Sequence, residues 1–168
     1  FMRTEEKTFR DTLVGDVYEL IVKRPTTVAR DAKISKIIEG MLENTVSRKV
    51  YVIDEEGMLL GMVNTDTILR LIGYRTGVRD KGALSFYRFL RDTLKQDIAD
   101  LVTPTRSVTK DDRLVDALEI MIKDHVNDLP VVDAEGRLIG ELVSLELFLK
   151  GRELFNSEAD KGGSPGSP

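Results

Sequence analysis

The chain contains two copies of one segment plan, and this internal duplication restricts its fold more than any other feature. Residues 120–143, IMIKDHVNDLPVVDAEGRLIGELV, follow the same order of patterns as residues 40–63, GMLENTVSRKVYVIDEEGMLLGMV. Each stretch reads as the end of an amphipathic helix, an apolar strand, a tight turn ending in glycine, and a returning strand. A fold for this sequence must therefore use the same supersecondary unit twice.

The register of the two copies is constant along their length apart from a slip of one residue. Val28 and Val108 are 80 residues apart (108 − 28), whereas Gly61 and Gly140 are 79 apart (140 − 61). The single-residue slip lies between Val46 and Lys49, in a predicted loop. A loop tolerates such a change, whereas an insertion within a strand would turn every later side chain to the opposite face.

Each copy predicts the order β-α-β-β-α, so the fold class is α+β. Asp31 and Asp111 are the predicted N-caps of the first helix in each copy, because a carboxylate can accept the unpaired amides there. Leu13–Val22 has apolar residues at helical spacing, and Gly73 is the predicted end of the helix that begins near Thr65. The predicted divisions are an N-terminal arm or docking helix over 1–12, repeat one over 13–73, a linker with an extra helix over 74–95, repeat two over 96–150, and a disordered tail over 151–168.

Composition excludes several classes of function. The net charge is −4 and the pI is near 5.2, without a long basic run, so neither nucleic acid nor an anionic membrane is an expected partner. We expect a cytoplasmic protein, because neither a signal-peptide core nor an apolar stretch of membrane-spanning length is evident. The chain has no cysteine, and His125 is its single histidine, so thiol chemistry and sites built on two histidines are excluded. We therefore expect no enzyme and no metal centre.

The paired segments VYVIDEEGMLLG and LPVVDAEGRLIG resemble the CBS domain, named for its occurrence in cystathionine β-synthase. The resemblance covers about residues 13–150 and is stronger in the second copy, through Pro104, Met121, Pro130, Gly136 and Gly140. It implies a tandem pair, or Bateman module: two repeats packed sheet to sheet with pseudo-twofold symmetry. It also implies a homodimer and an adenosyl ligand such as AMP, ADP, ATP or S-adenosylmethionine in the cleft between the repeats, with no required cofactor.

The family's adenosyl site uses a glycine near the end of the last strand, a Ser or Thr three residues later, and an Asp or Asn three beyond that. A carboxylate at this helix start can accept hydrogen bonds from both ribose hydroxyls, while helix N-terminal amides meet a phosphate. In this chain Gly61 is followed by Asn64 and Thr67, with Asp66 one position early. Gly140 is followed by Val143 and Glu146, with Ser144 one position late. Neither copy carries the full pattern.

Other positions of the resemblance complete the candidate site. Arg48 and Lys49 precede the middle strand, where family members often present a cation to a phosphate. The full set of candidate ligand-binding residues is Thr27, Val28, Arg48, Lys49, Asn64, Asp66, Thr67, Ser107, Val108, Leu129, Pro130, Ser144 and Glu146.

Each candidate also has a purely structural interpretation. Glu146 is also explained as a first-turn glutamate favoured by the helix dipole, and Asn64–Asp66 as a helix cap. Ordinary surface charge explains Arg48 and Lys49 taken singly, and His125 fits a helix cap or a surface residue. The expected function is a regulatory module that senses an adenosyl ligand for an unidentified protein. The alternatives are a dimerisation scaffold without ligand and a module that responds to divalent cations.

Overall fold

The computed structural model describes residues 4–76 and 83–162. The predicted tail after 162 and the linker residues 77–82 lie outside the described residues. None of the described helices is long and apolar enough to cross a membrane. Helices and small sheets together confirm the α+β class. The helices are Thr4–Asp11 (α1), Ile34–Glu43 (α2), Thr65–Thr76 (α3), Ala83–Leu94 (α4), Leu114–Asp124 (α5) and Ser144–Gly162 (α6). The strands are Thr27–Ala29 (β1), Lys49–Ile53 (β2), Leu59–Asn64 (β3), Asp128–Val132 (β4) and Leu138–Val143 (β5).

The chain divides into two compact units whose limits differ from those of the two sequence copies. One unit, which we call the Asn64 unit, comprises Pro25–Thr105 and Glu135–Leu138. The other, the Glu146 unit, comprises the described residues up to Arg24 together with Arg106–Ala134 and the described residues from Ile139 onward. The segment that opens each repeat therefore belongs to the same unit as the strands of the other repeat. The predicted boundaries at 13–73 and 96–150 describe the copies in the sequence rather than these compact units.

In the Asn64 unit, β1, β2 and β3 form one sheet. β1 runs parallel to β2, with Val28 beside Val52, and β3 runs antiparallel to β2, with Lys49 beside Asn64. The starts of β1 and β2 and the end of β3 therefore meet at the same end of the sheet. Apolar side chains of the sheet and of the flanking helices form the core. Its buried members are Val28, Ile34, Ile37, Met41, Val50, Val52, Val63, Ile68, Ile72, Ile98 and Leu101.

In the Glu146 unit, β4 and β5 form the sheet, and the predicted short strand at Ser107–Val108 is reduced to a single parallel bridge between Val108 and Val131. Val108 donates its amide to the Pro130 carbonyl over 3.0 Å and accepts from the Val132 amide over 2.9 Å. The core again combines strand and helix residues. Its buried members are Val14, Val17, Tyr18, Val108, Leu114, Ala117, Met121, Leu129, Val131, Leu142 and Leu147.

The prediction that Asp31 and Asp111 are the N-caps of α2 and α5 is wrong. The helices begin two residues later, and the capping residues Lys33 and Arg113 make no side-chain cap. Instead the Ile34 amide donates to the Gln96 carbonyl over 3.0 Å, and the Leu114 amide donates to the Thr12 carbonyl over 2.9 Å. A backbone carbonyl satisfies an unpaired helix amide as well as a side chain does, so aspartate is not needed there.

Several predicted element limits also differ. Leu13–Val22 is not an α-helix; its regular part is the 3-10 turn Val14–Asp16. α3 continues past Gly73 to Thr76, and α6 continues to Gly162 where a tail was predicted from 151. Glycine lowers helix propensity without forbidding a helix, so its position alone did not decide the end. His125, interpreted as a helix cap or a surface residue, is both: it is exposed, its φ is 53°, and its amide donates to the Met121 carbonyl.

Some apolar side chains on four of the helices face outward. Leu42 on α2 and Ile122 on α5, which are 80 positions apart (122 − 42), are 72% and 64% exposed. Leu69 on α3 and Phe148 on α6, which are 79 apart (148 − 69), are 63% and 65% exposed. Apolar side chains at helical spacing usually belong to the core, so exposure of all four is unexpected. The same positions in both copies instead leave an apolar helical surface in contact with solvent.

Candidate functional site

The first candidate site lies at the end of the sheet in the Asn64 unit where β1 and β2 begin and β3 ends. Thr27 opens β1, Arg48 and Lys49 lead into β2, and Asn64 closes β3. Asp66 and Thr67 follow in the first turn of α3. The topology thus brings together candidates that are up to 40 positions apart in sequence (67 − 27).

Asn64 and Thr67 form a local capping pair. Asn64 Oδ1 accepts hydrogen bonds from the Thr67 amide and from the Thr67 hydroxyl, each over 2.9 Å. The Thr67 hydroxyl oxygen keeps lone pairs with which it can accept a further hydrogen bond. Asp66 points elsewhere: its carboxylate is exposed and forms an ion pair with Arg70 one turn later.

The two cations before β2 have different environments. Arg48 is exposed and adopts a positive φ of 55°, a conformation that is uncommon for a residue with a side chain. Lys49 is only 4% exposed, and its Nζ lies 6.0 Å from the centroid of the Tyr51 ring. The interpretation of Lys49 as ordinary surface charge is therefore wrong. A buried ammonium needs neighbouring polar or aromatic groups, and those groups fix where it can present its charge.

The corresponding candidates of repeat two lie in the Glu146 unit. Leu129 and Pro130 are buried within β4, and Val108 is buried beside them, so their side chains belong to the core. Ser107 is exposed next to Val108. Ser144, the first residue of α6, is half-buried and donates its amide to the Asn127 carbonyl over 2.8 Å.

Glu146 is completely buried, with 0% of its surface exposed, which contradicts the interpretation of it as a solvated residue. One carboxylate oxygen, Oε1, accepts the Val143 amide over 2.9 Å, and the other, Oε2, accepts the Ile21 amide over 2.9 Å. Burial raises the pKa of Glu146, while hydrogen bonds from the backbone of Val143, Ile21, Val22 and Leu20 act in the opposite direction. The carboxylate that resembles a ribose ligand is thus already bound to the protein's own backbone.

Tyr18 also contributes to this region, although it is not among the residues predicted for the site, and its ring packs against Gly140 of the family pattern. A Cβ placed on Gly140 would lie 2.4 Å from two atoms of the Tyr18 ring, so only glycine leaves room for the ring. Lys110 Nζ lies 5.6 Å from the centroid of the same ring. In the sequence Tyr18 is only one residue of an apolar segment. Its contact with Gly140 depends on the tertiary structure and could not be predicted from that segment.

Comparison with known proteins identifies the family. The family model described as CBS domain matches residues 14–74 and 97–148, which is more than half of the chain. The chain belongs to the CBS domain family. Its two matched regions make it a tandem CBS pair, as the resemblance indicated.

Curated relatives with similar sequences are only moderately close. An uncharacterized protein of Methanocaldococcus jannaschii is 29% identical over 71% of this chain and 82% of its own length. Inosine-5'-monophosphate dehydrogenase of the same organism is 27% identical over 96% of this chain but only 28% of its own length. The chain thus aligns with less than a third of that enzyme.

Solved CBS pairs have the same fold. A CBS domain-containing protein from Thermotoga maritima has a TM-score of 0.65 and 30% identity, covering 83% of this chain and 93% of its own. CBSX2, a CBS-pair protein of Arabidopsis thaliana, was solved in complex with AMP. That complex has a TM-score of 0.65 and 24% identity, covering 86% of this chain and 98% of its own.

Proposed function

We propose that this CBS pair is a non-catalytic regulatory module that binds an adenosyl ligand, namely AMP, ADP, ATP or S-adenosylmethionine, at the end of the sheet in the Asn64 unit. The proposal rests on the convergence of Thr27, Arg48, Lys49, Asn64 and Thr67 at that end. Their chemistry suits such a ligand, since hydroxyl and amide groups can bond a ribose and a nearby cation attracts a phosphate. The AMP bound to CBSX2 supports the choice of ligand class.

The mechanism would be a population shift. A ligand that binds one arrangement of the module more tightly than another raises the population of that arrangement, and a partner protein responds to it. The regulated partner is unidentified. A cytoplasmic location and the response to divalent cations stay predictions from the sequence; within the described ranges 4–76 and 83–162, no cluster of three potential metal ligands occurs.

Thermal-shift titration with AMP, ADP, ATP and S-adenosylmethionine tests the proposal. Only a ligand that binds the native state more tightly than the unfolded chain raises the melting temperature. We expect Arg48→Ala to reduce the shift caused by the phosphorylated ligands more than the shift caused by S-adenosylmethionine, because the sulfonium compound has no phosphate. Lys36→Ala is the matched control, since it removes another exposed cation, one that pairs with Glu39 over 3.5 Å on α2. The absence of any shift at millimolar ligand would favour the scaffold instead.

We also propose that the chain forms a homodimer through its exposed helical surface. In the Asn64 unit, α2, α3 and α4 border an apolar groove of about 450 Å³. The groove is lined by Ile38, Met41, Leu42, Thr45, Arg48, Thr65, Ile68, Leu69, Ile72, Phe86 and Leu90. Leu42 and Leu69 of this groove have exposed counterparts, Ile122 and Phe148, in the other unit. Each unit thus exposes an equivalent apolar patch. Equivalent patches suit contact with a second copy of the chain, because the same type of apolar contact can form at both of them.

A further inference from the structure

The two copies differ at the position where the family places its ribose-binding residue. Thr67 and Glu146 are equivalent, at the same offset of 79 as the glycines Gly61 and Gly140 (146 − 67). Thr67 is half-buried and bonds within its own turn to Asn64. Glu146 is fully buried and bonds to a residue 125 positions away, Ile21. The difference is therefore one of tertiary contact as well as of side chain.

The segment that contacts Glu146 is longer than its counterpart. Thr12 and Gln96 hold equivalent places in the two units, because each carbonyl accepts the first amide of a helix, from Leu114 and from Ile34 respectively. At the same offset of 84 (96 − 12), Leu101 corresponds to Val17. From Val17 to Pro25 the chain advances eight positions (25 − 17), whereas from Leu101 to Pro104 it advances three (104 − 101). The segment that opens repeat one thus has five additional residues, and Leu20–Val22 lie within this longer segment.

Both lead segments first pack in the same manner and then diverge. Tyr18 lies against Gly140, and Val102 lies against Gly61, where a Cβ would come within 2.6 Å of the valine side chain. In the Asn64 unit the next residue, Thr103, then exchanges two backbone hydrogen bonds of 2.9 Å with Met62. In the Glu146 unit the longer segment instead brings the Ile21 amide to the Glu146 carboxylate.

We infer that Leu20–Val22 occupy, in the Glu146 unit, the place that corresponds to the ribose position of the proposed ligand in the Asn64 unit, and that Glu146 holds them there. We call this contact the Glu146 latch, meaning the hydrogen bonds from the backbone of Leu20–Val22 and Val143 to the Glu146 carboxylate. The chain therefore binds one adenosyl ligand, at the Asn64 unit, and its second site is closed by its own backbone. This inference rests on the proposed function. It adds a binding stoichiometry of one ligand per chain and a reason why only one of the two copies binds it.

The hydrogen-bonding chemistry explains why the latch excludes a ribose. A ribose-binding carboxylate must accept hydrogen bonds from two hydroxyls, but the Glu146 carboxylate has about four acceptor positions. Backbone amides already occupy them: those of Val143 and Ile21 over 2.9 Å, together with the backbone hydrogen bonds from Leu20 and Val22. A ligand would have to displace those amides and leave them buried without an acceptor, which is costly. Full burial of Glu146 also removes the path by which a hydroxyl would reach it.

Hydrogen exchange followed by nuclear magnetic resonance tests the latch without any ligand. We expect the Ile21 amide to be protected in the natural sequence and to exchange at least about tenfold faster in Glu146→Thr, which introduces the residue of repeat one, because a charge-assisted hydrogen bond is lost. Glu146→Gln keeps the shape of the side chain and one acceptor oxygen, so it should show a smaller effect. It provides the readout if Glu146→Thr folds poorly. Glu153→Gln, on the exposed surface of α6, is the control. Unchanged Ile21 exchange in both Glu146 variants would overturn the latch.

Isothermal titration calorimetry with AMP tests the closed site. We expect one bound AMP per chain for the natural sequence. For Glu146→Thr we expect a second AMP per chain, bound with lower affinity than the first. Two AMP molecules per chain in the natural sequence would overturn the inference while supporting the proposed function. If no form of the protein binds AMP or the other three ligands, the proposed function and the ligand exclusion are both overturned, while the exchange rate of Ile21 still reports on the latch itself.

Discussion

Glu146 illustrates at the scale of one residue how burial and hydrogen bonding oppose each other. Loss of solvent raises the pKa of its carboxyl group more than the backbone hydrogen bonds lower it. The folded protein therefore holds a proton on Glu146 up to a higher pH than the unfolded chain, whose ordinary value is 4.5. The contribution of this group to stability is present in full below that ordinary value and is lost as the pH rises through the raised one.

We predict that this pH dependence is visible by comparison with Glu146→Gln. Gln does not titrate, so the difference in free energy of unfolding between the natural chain and the variant isolates Glu146 from the other carboxyl groups. Urea denaturation from about pH 4 to about pH 8 should show this difference falling as the pH rises. A difference that grows with pH would mean that the backbone hydrogen bonds outweigh the loss of solvent.

Gly140 gives a second prediction at this scale. Gly140→Ala should lower the free energy of unfolding by about 1–3 kcal/mol, because the added methyl group meets the Tyr18 ring at 2.4 Å and forces it to shift. The loss should be smaller when Tyr18 is first changed to Leu, which leaves more room over the glycine. Equal losses in the two backgrounds, measured by urea denaturation, would contradict the contact.

At the scale of elements, the helices that follow the last strands are longer than the sequence patterns indicated. α3 passes through Gly73 and α6 passes through Gly151. A methyl group on either glycine would meet nothing within 4 Å. Both residues therefore weaken a helix by their backbone freedom alone, without a packing role that requires glycine.

We predict that Gly151→Ala stabilises the protein by about 0.5–1 kcal/mol, because alanine loses less conformational freedom than glycine in a helix interior. Chemical denaturation measures this gain. Gly57→Ala is the matched contrast: Gly57 also has open space around it, but its φ of +81° disfavours a side chain, so this variant should be destabilised. No gain for Gly151→Ala would indicate that α6 ends before residue 151 in solution.

α1 and α4 are further elements whose role depends on the tertiary structure. α4 packs against α3 and α2, whereas α1 packs against α5 and α6. Each helix ends near the same tetrapeptide, Arg-Asp-Thr-Leu, at residues 10–13 and 91–94. Their packing gives α1 and α4 corresponding places in the two units, so the helix over 83–94, predicted as an extra helix, has a counterpart near the N-terminus.

At the scale of the whole molecule, the exposed apolar surface on the helices makes the proposed dimer testable. Phe148→Asp and Leu69→Asp each place a charge on one of the two equivalent exposed positions. We predict that each variant weakens self-association by at least about tenfold, because an unpaired charge in an apolar interface must lose its solvent. Size-exclusion chromatography with light scattering measures the mass over a range of concentrations.

Leu60→Asp is the control for this experiment, since Leu60 is an exposed leucine on β3 that does not line the groove. Its self-association should equal that of the natural chain. A natural chain that is monomeric at all concentrations would contradict the dimer, and so would equal effects of the charge at positions 60, 69 and 148.

The sequence by itself determined the features that depend on local patterns repeated in two places. The strands at Val50–Ile53 and Leu129–Val132, the tight turns after them, and the helices before them follow from hydrophobic periodicity and from turn residues that recur at one offset. These patterns also carried the CBS resemblance, which the family match confirmed. Two copies support each other, because a pattern that appears twice in register is unlikely to arise by chance.

Only the tertiary structure decided which segments share a core and what individual polar residues do there. The segment that opens repeat one packs with the strands of repeat two, so Ile21 meets Glu146 across 125 positions of sequence. Lys49 is buried and Leu42 is exposed, although their residue types favour the opposite. Burial and hydrogen bonding are set by contacts between distant parts of the chain, and no local pattern in the sequence contains that information.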